Sequence, residues 1–526
     1  MMNGVASAGR ALSWLRSAAR ALAAAVDRSA SLLLAAFLAV LVAATAVLAD
    51  RAPLWNDELF TYYIGGLPTA GDVWSELATG VEQTPFSFYL VTQAALEVLG
   101  KAPLAMRVPE ILGFALMSIC VFHFVARRSS PVYGFVAILF PLVTTAYGYA
   151  YEARAYALVL GFSAAALLCW QWATEGGPHR RLAALGIALS LAAAVGSHYY
   201  AVLMLVPLLV GEAGRSLSRR RIDWVVVGSF SGALVPLLLF SPLIQAAQGY
   251  STTFWARPTW NSAVRFYLNL LLDRTLLAAA GLIFVVIFTF TVLRSSSRSS
   301  DRQRPFVRPP DHELLALGTL VLLPFFGVLL GKLVTGGFTG RYALSAVIGV
   351  TVLVALTAWW ADREAPIVGV SLMVVLTVLA GLRFSTRYDQ ATRDEKEQIQ
   401  ALQFLEQHSR AGLPIVISSP HDFFELSHRA AEEGGPRLLY LADPALAVKY
   451  LQTDAVDLGV LGLEDIAPLR VEPYRSFVAS HSRFLLYGEH GAWDWVTSAL
   501  RAQGADVRVA ARNPLDGDVL VEVRRR

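Results

Sequence analysis

Charge is scarce in this sequence. Asp, Glu, Lys and Arg make up 16% of 526 residues, hydrophobic types reach 55%, and mean hydropathy is +0.51. A soluble domain carries about a quarter charged residues, so a purely soluble protein is excluded and a polytopic membrane protein is indicated. Cysteine is nearly absent. Cys120 and Cys169 both lie in apolar runs, which reads as inert buried thiols and not as a disulfide or metal site. There is no Gly-x-Gly-x-x-Gly or Walker loop, so nucleotide binding has no support. Internal repeats are missing too, and only Ser295–Ser300 is low in complexity. What charge there is divides unevenly. Residues 1–383 hold 28 Lys/Arg against 19 Asp/Glu, whereas residues 384–526 hold 16 against 21. The pI of 9.0 therefore reflects lipid-facing loops on a basic membrane part, not nucleic-acid binding.

Apolar runs long enough, or nearly long enough, to cross a bilayer fall at 29–49, 104–126, 131–148, 155–173, 182–197, 199–213, 224–246, 274–293, 313–334, 341–361 and 365–382. That makes eleven expected spans. The first ends in Val47-Leu48-Ala49, a passable peptidase site. Its apolar core is too long for a signal sequence, so it reads as an uncleaved anchor. With the N-terminus inside, Arg10, Arg16, Arg20, Arg28, Arg127–Arg128, Arg180–Arg181, Arg219–Arg221 and the cluster Arg294 to Arg308 all become cytoplasmic. That is the bias the positive-inside rule asks for. Residues 1–28 then form a cytoplasmic amphipathic segment on the inner surface. The expected placement is a multi-pass protein of the cytoplasmic (inner) membrane, with residues 50–103, 149–154, 247–273, 335–340 and all beyond 383 outside.

The first outer loop, 50–103, is too long for a passive connector and has helical pattern at 57–65, 72–79 and 85–99. Past Arg383 the composition changes. A helix at Asp394–Arg410, an apolar run Ile415–Ser418, a helix near 421–433 and a strand Leu438–Leu441 are followed by a helix opened by Asp443-Pro444. Strands at Phe484–Tyr487, Val507–Ala510 and Val519–Val523 and a helix at 491–503 complete the pattern of a small extracytoplasmic α/β domain, 384–526. Its role reads as accessory or acceptor-docking.

Asp57–Glu58, just beyond the first span in Trp55-Asn-Asp-Glu-Leu-Phe60, is the feature most costly to desolvate. Other charged or polar groups expected on the same side are Glu82, Tyr151-Glu152-Ala-Arg154-Ala-Tyr156, Ser197-His198-Tyr199 and Arg341-Tyr342. Each has a plainer reading. Asp57 could cap a helix, Arg154 and Arg341 could snorkel to lipid phosphates, and the tyrosines could be interfacial belt. Convergence on one face favours a site where a phosphate headgroup meets a nucleophile. In 247–273, Phe254, Trp255 and Trp260 could stack on sugar faces or sit at the interface.

Taken in order, these motifs resemble the GT-C membrane glycosyltransferases of the protein O-mannosyltransferase, aminoarabinose-transferase and bacterial lipopolysaccharide-sugar transferase type. The resemblance rests on Trp55-Asn-Asp57-Glu58, Thr84-Pro85-Phe-Ser-Phe-Tyr89 leading to Ala105-Met-Arg107-Val-Pro109, Tyr151 to Leu158, Ser197-His198-Tyr199 and Arg341-Tyr342. It covers roughly 29–383. It implies a polytopic α-helical GT-C domain over 29–383, a polyprenyl-phosphate sugar donor and an extracytoplasmic acceptor hydroxyl on a glycan, lipid or protein. In such enzymes the aspartate matching Asp57 is the general base, with Glu58 expected to orient it or shift its pKa. Arg154, Arg341, His198 and Tyr342 would hold the donor phosphate, Glu152 would hold Arg154, and Tyr151 and Arg107 would support the site. Where many relatives carry His-Pro-Pro, this chain has Gln83-Thr84-Pro85, which puts an extra phosphate or metal contact there in doubt. No definite cofactor is indicated, and a divalent metal is possible. The metal candidate is a divalent ion held by Glu82 with His198, a short ligand set. Membrane lipids are expected partners and nucleic acid is not. The alternatives are a transporter or flippase for lipid-linked sugars, which would place charge near the midplane in paired halves, and a polymerase using lipid-diphosphate donors.

Overall fold

The computed structural model describes residues 2–249, 253–271, 309–362, 365–409, 412–489, 491, 494–515 and 517–525, with 2–12 and 271 described by backbone alone. The expected span 274–293, Ser295–Ser300 and the cluster Arg294 to Arg308 lie outside the described residues. Among those described, six helices are long and apolar enough to cross a membrane: Ala30–Arg51, Pro103–Ala126, Tyr156–Glu175, Arg180–Ser197, Tyr199–Arg219 and Ile367–His408. Two bent pairs raise the number to eight: Trp224–Leu239 with Ser241–Gln248 at 60°, and Asp311–Val321 with Leu323–Thr335 at 54°. The chain is a multi-pass membrane protein.

Among the described residues fewer spans than the expected eleven meet both length and composition, and proline is one reason. The run 131–148 is helical only to Leu139, then continues as tight 3₁₀ turns, Phe140–Val143 and Thr145–Ala150. Pro141 lacks the N–H that the ladder needs there. Ala346–Ala361 is likewise a shorter apolar helix. The last span is longer than expected. Ile367–His408 is one helix of 42 residues, so the boundary placed at 383 falls inside it and no separate helix starts at Asp394.

The bundle has two chemically distinct ends. At one end Arg127 and Arg128 pair with Glu175, Arg128 also pairs with Glu313, and Arg180 and Arg215 share Asp223. At the other end the same helices terminate at Tyr156 and His198. Helices Pro103–Ala126 and Tyr156–Glu175 cross with almost no space between backbones. A Cβ on Gly161 would collide with the Gly113 carbonyl oxygen, and one on Gly113 would stand 2.8 Å from Ala157. Small residues of this kind let membrane helices approach closely.

The first outer loop folds into three helices close to those expected, Asn56–Gly65, Ala70–Leu77 and Phe86–Leu99. Thr69 caps the second through a reciprocal box with Asp72. Beyond the long helix the chain builds a six-stranded sheet: β1 Ile415–Ile417, β2 Leu438–Ala442, β3 Val471–Pro473, β4 Arg483–Gly488, β5 Asp506–Arg512 and β6 Val519–Arg524. The order is β3-β2-β1-β4-β6-β5. The first four strands run parallel, and β6 and β5 add antiparallel. Strand β3 and the helices Ala455–Gly462 and Tyr474–Ser480 were not expected from the sequence.

Replacing Gly161 with Val should force the two helices apart and cost about 1–3 kcal/mol, the usual penalty of overpacking. Thermal unfolding of the purified chain in detergent, read against Gly161→Ala, measures it. An unchanged midpoint in both variants would contradict the close packing.

Candidate active site

Local backbone chemistry places the site. The helix Asn56–Gly65 starts one turn after the first span, and its first residues carry Asp57 and Glu58 on different faces. Glu58 turns inward and is fully buried. Its carboxylate takes two charge-assisted bonds from Arg107, with Nε to Oε1 at 2.7 Å and Nη2 to Oε2, and a third from the Ala153 N–H at 2.6 Å. Arg107, 1% exposed, uses its remaining donors on the carbonyls of Ala49, Ala52 and Pro53. This closed network joins the end of the first span, the start of the second, the first loop and the segment 151–155. Neither residue lines the cavity, so the expected modulation of Asp57 by Glu58 gives way to a clamp. The expected support by Arg107 takes the form of that clamp.

Asp57 faces a cavity of about 550 Å³ together with Glu82, Arg154, His198, Arg341 and Tyr342. Its Oδ2 accepts from Arg341 Nη1 at 2.7 Å and lies 3.9 Å from Arg154 Nε. Arg154 also donates to the Asp57 carbonyl at 3.1 Å and approaches Glu82 at 3.6 Å. Burial pushes the Asp57 carboxyl up, but the Arg341 and Arg154 guanidiniums outweigh it and hold the group below its ordinary 3.8. The Arg341 guanidinium also lies 5.7 Å from the centre of the Tyr156 ring.

His198 ends the helix Arg180–Ser197, and its Nδ1 accepts from the Tyr200 N–H at 3.2 Å. That bond leaves the proton on Nε2, so the neutral ring is a donor. Tyr342 packs against His198 and Tyr200, with ring centres 4.8 Å apart in each case. Phe254 and Trp255 line the same cavity.

Two expected roles move. Glu152 does not hold Arg154, because the backbone at 151–155 is irregular and successive side chains diverge. The acid beside Arg154 is Glu82. Burial and the neighbouring Glu58 push the Glu152 carboxyl up to about 7. Tyr151 turns away from the cavity and accepts from Arg387 Nη1 at 2.7 Å. As for metal, among the described residues no three His, Cys, Asp or Glu side chains form a group that could hold an ion. Glu82 Oε1 already accepts from the Thr84 hydroxyl at 2.8 Å and from the Gln83 and Thr84 N–H groups at 3.0 and 3.2 Å.

Sequence reasoning missed part of the wall. Trp55, Asn56 and Thr84 line the cavity, as do His421, Ala455 and Val456 of the C-terminal domain. A signal for His421 was present, since Ser418-Ser-Pro-His421 follows β1 directly. Ligands of α/β domains gather outside the carboxyl ends of parallel strands. Buried polar atoms on lining residues, Trp55 Nε1, Asn56 Nδ2, Tyr199 OH and Arg341 Nε, have no protein hydrogen-bond partner. Native sites keep such atoms for a ligand or water.

Residues 82–245 match the family model of dolichyl-phosphate-mannose-protein mannosyltransferase. No curated protein is detectably similar in sequence. The fold is shared with ArnT from Cupriavidus metallidurans. Its apo crystal structure aligns at 13% identity and a TM-score of 0.56, covering 94% of this chain and 98% of that one. Its structure bound to undecaprenyl phosphate aligns at 12% identity and a TM-score of 0.55 with the same coverage. The resemblance to GT-C membrane glycosyltransferases thus rests on a family model and on the fold.

Breaking the Glu58–Arg107 pair with Glu58→Gln leaves a buried guanidinium short of charge and should cost about 3–5 kcal/mol. Asp57→Asn should cost less than Glu58→Gln, since Asp57 opens on the cavity and Arg154 keeps a second carboxylate, Glu82, at 3.6 Å. Unfolding midpoints of the two variants side by side decide this; equal losses would remove the distinction between clamp and site.

Proposed function

We propose that this membrane protein of GT-C fold transfers a sugar from a polyprenyl-phosphate-linked donor to an acceptor hydroxyl at the outer face of the cytoplasmic membrane. The observation that carries the reading is a carboxylate, Asp57, facing a cavity beside two guanidiniums and a neutral histidine donor. A phosphate leaving group needs such donors, and an acceptor alcohol needs such a base. The paired basic residues at the opposite end of the bundle support an outward-facing cavity through the positive-inside rule. The structure of ArnT with undecaprenyl phosphate supports the donor class.

In this mechanism the donor phosphate competes with Asp57 for Arg341 and Arg154. Once the guanidiniums bind phosphate, less positive charge holds the Asp57 carboxyl down, and it becomes the stronger base where it is needed. The acceptor oxygen then attacks the anomeric carbon as its proton passes to Asp57. The bond from that carbon to the phosphate oxygen breaks, with inversion, and polyprenyl phosphate leaves as the anion. His198 Nε2–H and the Tyr342 hydroxyl donate to the phosphate as its charge grows. Phe254 and Trp255 offer faces for the sugar. The charged groups that line the cavity sit together at one end of the bundle, whereas a transporter for lipid-linked sugars would hold its site near the midplane.

Asp57→Asn should lower transfer by about 10²- to 10⁴-fold while undecaprenyl phosphate binds at least as tightly as to the parent. The readout is mass analysis of glycans and lipid-linked sugars in a deletion strain carrying the variant. Full product from that strain would remove the base assignment. Arg341→Ala should weaken undecaprenyl phosphate binding to the purified chain by about tenfold or more, the scale of one charge-assisted contact. Unchanged affinity would place the phosphate elsewhere.

A further inference from the structure

The helix that carries Asp57 begins without a cap of its own. Trp55 occupies the capping position and has no side-chain acceptor to offer, so the first N–H groups of Asn56–Gly65 look elsewhere. Asn56 N–H finds Glu425 Oε1 at 3.1 Å, a carboxylate that belongs to the helix Pro420–Glu433 of the C-terminal domain, 369 residues further on. A carboxylate at a helix N-terminus meets both an orphan donor and the positive end of the helix dipole. The other oxygen of Glu425 accepts from Gln398 Nε2 at 3.1 Å, on the long helix that leaves the bundle. One carboxylate therefore ties the first loop, the last membrane helix and the sheet domain together. Around it, Phe424 packs edge-on against Phe60 at 5.4 Å and stacks on Tyr63 at 5.9 Å, and Tyr63 OH bonds His428 Nδ1 at 2.7 Å.

We propose that Glu425 is a positioning residue for Asp57, through which the C-terminal domain takes part in the reaction. The inference rests on the glycosyltransferase reading for its catalytic consequence. Asp57 is one residue past the capped N–H, in the turn that frays first if the cap is lost. Its carboxylate reaches Arg341 at 2.7 Å, and a displacement of about 1 Å in a reacting group can cost 10²-fold in rate. Burial pushes the Glu425 carboxyl up to about 7, with the Asn56 N–H and Gln398 pulling it back.

The test uses the full chain in detergent or nanodiscs. Glu425→Ala should raise amide hydrogen exchange in residues 56–59 about fivefold, the effect of one lost cap. It should also lower kcat for transfer by about 10- to 100-fold, while undecaprenyl phosphate affinity stays within about threefold. Glu425→Gln keeps an oxygen for Asn56 and should recover most of both. Tyr63→Phe removes another bond between the same two parts without touching the cap, and should keep kcat near that of the parent. Three results would overturn the proposal: parental kcat in Glu425→Ala, an equal loss of kcat in Tyr63→Phe, or a parallel loss of undecaprenyl phosphate binding. If the parent chain itself makes no glycosylated product, the function reading fails, and the exchange measurement still decides whether Glu425 caps the helix.

Discussion

The buried ion pair between Glu58 and Arg107 is the constraint on which the site depends. Both charges are out of water, and such a pair is tolerable only when every remaining donor and lone pair is engaged. Here every guanidinium N–H and both carboxylate oxygens have a partner: three backbone carbonyls take the rest of the guanidinium, and the Ala153 N–H takes the glutamate. Because those groups come from four separate stretches of chain, satisfying the pair fixes where each stretch sits. Asp57 follows from Glu58 by one residue, and Arg154 follows from Ala153 by one residue. The clamp thus sets two of the cavity's charged groups, Asp57 and Arg154, next to each other without being part of the cavity.

A second layer comes from the C-terminal domain. Its contacts with the first loop are close, since a Cβ on Gly459 would stand 2.7 Å from Phe60 and one on Gly462 would stand 2.5 Å from Val81. Those glycines let the helix Ala455–Gly462 lie against the loop, so that Ala455 and Val456 reach the cavity. The domain is part of the cavity wall. The wall therefore has an arginine-rich side from the bundle and a side from the sheet domain that carries His421.

Much of this was legible in the sequence where the physics is local. Apolar runs marked the membrane helices, the three helices of the first loop followed their periodicity, and Asp443-Pro444 opened a helix as read, with Asp443 accepting from the Leu446 N–H. Legibility failed where partners lie far apart in the chain. Asp57 and Glu58 looked like a functional pair, but neighbours on a helix are about 100° apart, so one faces the core and the other the cavity. Glu152 lies two residues from Arg154 and misses it, while Glu82, 72 positions away, meets it. Glu425 could not be assigned at all, because nothing near it in sequence shows the uncapped helix it serves. The same holds for β3, only three residues long and ending in proline.

In the proposed mechanism a phosphate displaces Asp57 from its arginines and so readies the base. A structure of the chain with undecaprenyl phosphate bound tests it most directly. Phosphate oxygens should lie about 2.7–3.0 Å from Arg341 and Arg154 nitrogens, with His198 Nε2 turned toward the phosphate and Asp57 Oδ2 released from Arg341. A phosphate seated away from both arginines, with the Asp57–Arg341 contact still at 2.7 Å, would contradict it.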